Sequence, residues 1–163
     1  MANEVYLVRG TPVVWSDTTG DLAITINNLA TVTGRVGAQK DWGAGAQPDE
    51  YLWRLTVQFE TAPVVGQTVD CYISTSDGTR PDGEVGVADA ALSAADKVKN
   101  LLYVGSLVVD VATVDIDFTA SGTCRIPTRY CCPVIFNNTA DNLQATNDTG
   151  EFTLTPIYSQ GQV

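Results

Sequence analysis

Residues 51–60, YLWRLTVQFE, alternate between apolar and polar positions along their length. On an extended backbone Tyr51, Trp53, Leu55, Val57 and Phe59 fall on one side, and Leu52, Arg54, Thr56, Gln58 and Glu60 on the other. That pattern predicts a strand with one face in a core. Tyr51, Trp53 and Phe59 give the inward face the largest apolar load in the chain. The same two-residue period predicts strands over 5–8, 11–15, 22–26, 68–75, 114–118, 124–126 and 151–157. Residues 31–42 also read as extended, with Gly34 and Gly37 marking a bulge or a close backbone approach. Turn-forming residues separate these stretches. The longest irregular region is 76–90, a length usually associated with function or mobility. Ser93 and Asp96 form a weak capping box, which predicts about two helical turns over 94–100. The sum is one all-β sandwich with one short helix, followed by a tail over 158–163.

Two stretches break the alternation. Residues 101–110, LLYVGSLVVD, and 129–137, RYCCPVIFN, are apolar on both faces. A strand of that kind needs cover on both sides, and a sandwich covers only one. Either a loop of the same chain or another protein must supply the second cover. On this reasoning the candidate contact residues are Leu101, Tyr103, Leu107, Val109, Tyr130, Cys132 and Ile135. Val5 and Leu7 of an apolar N-terminal arm join them.

Composition narrows the partners. The net charge of −10 argues against nucleic acid and against anionic membrane. The start MANEVYLVRG lacks the pattern of a signal peptide, so Cys71, Cys124, Cys131 and Cys132 are expected as thiols in a reducing compartment. Their pairing, if they pair, is not fixed by spacing.

Chemistry narrows the function. The chain has no histidine, which removes the Ser-His-Asp and Cys-His nucleophile arrangements and the usual zinc ligands. Adjacent Cys131 and Cys132 would point to opposite strand faces and read as buried thiols. Asp115 and Asp117 would share a strand face, as a glycosidase pair would require, but a solvated polar face explains them better. Asp77, Asp82 and Glu84 do not follow a calcium-loop pattern. No catalytic residue, cofactor or metal is expected. Trp42 alone among the tryptophans is a candidate exposed aromatic.

Taken together, GRVGAQKDWG, YLWRLTVQFETAPVVGQTVDCYISTSDGT, NLLYVGSLVVD, RYCCPVIFNNTADNLQAT and FTLTPI resemble the small β-rich virion proteins of tailed bacteriophages. The likeness runs over residues 33–156. It implies a jelly-roll-like antiparallel β-sandwich that acts as a capsid cement or decoration protein. The expected partner is the major capsid protein, on the outer surface of the virion, after synthesis in the bacterial host cytoplasm. A homo-oligomer, trimer or dimer, is also expected. The competing reading is a tail or host-attachment module that binds a surface glycan through Trp42 and the 76–90 loop. A hydrolase using Asp115 and Asp117 ranks last.

Overall fold

The computed structural model describes residues 5–48, 50–145 and 150–161. The first six strands are β1 Val5–Arg9, β2 Val13–Ser16, β3 Leu22–Ala23, β4 Thr33–Val36, β5 Lys40–Asp41 and β6 Glu50–Val57. The next six are β7 Thr68–Ser76, β8 Ala90–Ala91, β9 Leu102–Val108, β10 Phe118–Cys124, β11 Tyr130–Asn138 and β12 Glu151–Gly161. Among the described residues they form two sheets, ordered β10-β6-β12-β2-β3 and β8-β4-β11-β7-β9. β1 runs beside β12, and β5 beside β11.

The pairing is nested. β2 pairs with β12, β4 with β11, β6 with β10 and β7 with β9, each antiparallel. The chain is therefore a long hairpin rolled on itself, the jelly-roll form of the β-sandwich. Closure comes from β6 against β12 and β7 against β11. The rolling places β6 inside its sheet, where both backbone edges are paired. Its inward residues Tyr51, Trp53, Leu55 and Val57 are buried as their alternation predicts, in one cluster with Trp15, Ile73, Ile135 and Phe152. β6 stops at Val57, and Phe59 reaches the same core through an isolated bridge to Leu143.

Some predicted strands are shorter or absent. Of residues 22–26 only β3 is a strand, although Ile24 and Ile26 are buried. Residues 31–42 divide into β4 and β5. A side chain at Gly34 would strike Leu92, and one at Gly37 would strike Pro133, so both glycines permit a close approach. Residues 114–117 are not a strand. Asp115 sits at φ 57, a left-handed conformation that interrupts an extended run. The turn Ala95–Asn100 is 3-10, with Ala94 at its N-cap and no side-chain cap bond, so Ser93 does not cap it. The tail continues as strand: β12 runs past Ile157 to pair with β1 from Ile157 through Gly161. The N-terminal arm thus lies on its own sheet.

The second cover of β11 is the chain's own. Its inner face, with Cys131 and Ile135, lies in the main core. Its outer face, with Cys132 and Val134, forms a smaller core with Val36 and Val85, against which Tyr72, Leu92 and Leu101 pack. Residues 77–101 form this roof. Asp89 pins it. The Arg35 guanidinium donates to both Asp89 oxygens at 2.6 and 2.7 Å, and the Thr25 hydroxyl and amide donate at 2.6 and 3.1 Å. Burial pushes the Asp89 pKa up, but the hydrogen bonds from Arg35 and Thr25 outweigh it and hold the carboxyl below its ordinary value. A depressed carboxylate contributes stability that is present above its unfolded pKa and lost as pH falls through the folded one. Acid below about pH 4 is therefore expected to loosen the roof. Asp89→Asn should do the same at neutral pH, at a cost of about 2 kcal/mol. Site-resolved alkylation checks this: Cys132, shielded in the wild type, should label faster in the variant.

Candidate docking end and the Trp42 groove

The nested topology sorts the loops. Thr33, Val57, Thr68, Val108, Phe118, Asn138 and Glu151 are joined by strand register, so the loops that leave them gather at one end of the sandwich. These loops are tied together by polar groups. The Leu143 amide donates to the Leu29 carbonyl at 3.1 Å, Glu60 N to Asn142 O at 3.1 Å and Gly66 N to Val109 O at 2.8 Å. Side chains complete the net. Gln144 donates to Asp115, Gln58 to Asp117 and Thr61 to Asp141, at 2.8, 2.8 and 2.6 Å. Asn137, buried beneath, donates to the carbonyls of Leu29 and Asp141.

Several polar side chains of this end are thus used in holding loop to loop, while six of its apolar ones face water. Val32 is 62% exposed, Val64 51%, Val65 56%, Val111 41%, Val114 39% and Ile116 36%. Scattered exposed apolar residues are ordinary, but six gathered at one end make it a candidate interaction surface. The backbone is strained here too. Asn28, Val32 and Asp115 have φ of 57, 53 and 57. For β-branched Val32 that conformation costs about 1–2 kcal/mol. Val32→Gly is therefore expected to raise the melting temperature by a few degrees while weakening any contact this end makes. Thermal denaturation set beside a binding assay would show both.

The residues proposed from sequence as contacts divide. Leu107, Val109, Cys132 and Ile135 are buried within the protein's own cores, so their assignment as contact residues is corrected. Leu101, the last residue of the roof, packs against the smaller core, and Tyr130 is half-buried beside Gly78. Tyr103 and Leu7 are exposed, at 56% and 70%. The side chain of Val5 lies outside the described residues. Sequence reasoning missed the valine loops because it sought grease in strands. Val64-Val65 and Val111 were legible only as parts of turns.

Asp115 and Asp117 do not share a strand face, and each accepts a hydrogen bond from a glutamine. The thiols are poor nucleophiles: burial pushes Cys132 and Cys131 up to about 12 and Cys124 up to about 11. No group of three or more His, Cys, Asp or Glu side chains is placed to hold a metal ion among the described residues. Asp77 instead accepts the Thr79 and Arg80 amides within its own turn, and Asp82 accepts from the Thr75 hydroxyl.

Trp42 is half-buried, not an open platform. Its indole donates to the Cys131 sulfur at 3.3 Å, its ring lies 4.9 Å from that of Tyr51, and the Lys40 ammonium sits 5.5 Å over it. It lines a groove of about 410 Å3 with Thr11, Pro12, Asp21, Lys40, Asp41, Pro156 and Tyr158. The 76–90 loop does not line this groove, so the composite site of Trp42 and that loop is not formed here.

No protein-family model matches the chain, and no curated protein matches it in sequence. A solved structure similar to it is the C-terminal domain of EclA, a sugar-binding protein, at 10% identity and a TM-score of 0.33. The match covers 98% of this chain and 79% of that one. A likeness that slight says nothing about what this chain binds.

Proposed function

We propose that this chain is a virion structural protein, a decoration protein that docks on the outer surface of a tailed-phage capsid and bridges neighbouring major capsid protein subunits. The observation that carries the reading is the rigid end with its exposed valines, Val32, Val64, Val65 and Val111. Loops already fixed by their own hydrogen bonds lose little freedom on docking, so more of the apolar contact appears as affinity. Repetition over a symmetric shell multiplies a modest contact. The charge of −10 suits a place outside a shell that holds anionic DNA. The protein acts by binding and not by turnover, in keeping with its buried thiols and its engaged aspartates. Self-association belongs to the same reading. β9 presents Leu102, Tyr103 and Val108 to solvent, 39, 56 and 57% exposed, an apolar face that a second copy would cover.

The test is to mix the purified protein with undecorated capsids and sediment them. Saturable co-sedimentation and a higher capsid melting temperature are expected. Protein that stays in the supernatant at every concentration refutes the reading.

A further inference from the structure

We infer that the groove at Trp42 is a binding site for a neutral carbohydrate, separate from the loop end that docks. It lies where the start of β2 and the turn before β3 in one sheet come close to β5 of the other. The Trp15 indole spans the same gap, donating to the Ala38 carbonyl at 2.7 Å. At about 410 Å3 it falls within the size of small-ligand pockets, roughly 300–1,000 Å3.

Its lining suits a ring that carries both hydroxyls and C–H faces. Pro12, Pro156 and Trp42 supply apolar wall, and the half-exposed Tyr158 supplies an aromatic ring with a hydroxyl. Asp21 gives one oxygen, Oδ2, to the Val14 amide at 3.0 Å and keeps Oδ1 free of any hydrogen bond to a described residue. Lys40 offers a donor at the rim. Asp41 is fixed by the Arg129 guanidinium at 2.6 and 2.7 Å, which holds its pKa down to about 2 together with the Gly43 amide. Asp21, Lys40 and Tyr158 therefore put an acceptor, a donor and a hydroxyl beside an apolar wall.

The charges set the class of sugar. Asp41 is neutralised by Arg129, which leaves Asp21 against Lys40, so the groove has no excess positive charge to recruit a sialylated, sulfated or phosphorylated ligand. Hydroxyls that accept from Lys40 and donate to Asp21 use both kinds of group. The long side chain of Lys40 over the indole can swing from the ring to a ligand.

The experiment screens the full chain on an array of neutral glycans of glucose, galactose, mannose and N-acetylglucosamine, alongside sialylated and sulfated ones. The strongest neutral binder is then titrated by calorimetry. Asp21→Asn and Tyr158→Ala are each expected to weaken it by about tenfold or more, the loss of one good polar or ring contact. Because a variant can lose binding by misfolding, the wild type is also titrated by NMR. The Trp42 indole N–H signal should shift while that of Trp53 stays in place. The proposal is overturned by an array without neutral binders, by a preference for acidic glycans, or by binding that leaves the Trp42 signal unmoved. None of these outcomes involves a capsid, so the result stands apart from the decoration reading.

Discussion

Gly105→Ala is expected to cost about 3 kcal/mol, lowering the melting temperature by about 6–12 °C. The cause is the indole of Trp53. It reaches from β6 toward the gap between β9 and β10 and ends against glycines on each side. A Cβ at Gly105 would lie 2.4 Å from Trp53 Cζ2, and one at Gly122 would lie 2.8 Å from Nε1. Real side chains do not sit that close, so either the ring or a strand must move. Gly105 also has φ 155, and the register slips at its partner Cys71, so the ladder is already irregular there. Trp53 is 3% exposed and has little room to retreat. Gly122→Ala should cost less, because its Cβ stands 2.8 Å from the ring against 2.4 Å at Gly105, and Gly122 lacks the positive φ of Gly105. Thermal unfolding of the two variants checks the order. Equal and negligible effects would mean that the indole is not held between them.

The second large effect concerns docking. Val64→Asp combined with Val65→Asp is expected to lower capsid affinity at least 100-fold, about 2.8 kcal/mol, with little change in stability. Both valines are more than half exposed in the unmodified protein, so the folded state loses few contacts. Buried in an interface, the two carboxylates would be desolvated without partners. Leu7→Asp with Val8→Asp adds the same charge at the opposite end, on β1. That control should bind as the wild type does. Equal losses in both pairs would assign the effect to net charge and remove the loop end as the docking surface.

The strand of residues 51–60 was legible because a buried face alternating with a wet one leaves a period of two in the sequence. The same reasoning placed Val69, Cys71 and Ile73 in the core. Residues 114–118 alternate just as cleanly, yet Val114 and Ile116 face solvent, because the left-handed Asp115 turns the chain and Gln144 fastens it. Alternation records which side chains differ, not which face a core. The doubly apolar β11 was read correctly as needing two covers. Its second cover came from residues 77–101, whose turn-rich sequence holds Val85, Leu92 and Leu101 at spacings that follow no strand or helix period. The groove was out of reach for another reason. Pro12, Asp21, Trp42 and Tyr158 meet only because β2, β5 and β12 meet. Trp42 alone carried a signal, as an aromatic outside a clear strand.

Imaging capsids decorated with the purified protein tests the docking claim most directly. The account predicts density in which the 58–67 and 109–117 loops face the shell at joints between capsid subunits, with β1 and the end of β12 pointing outward. Bare capsids at saturating protein, or particles seated on the opposite end with Val64 and Val65 in solvent, would contradict it.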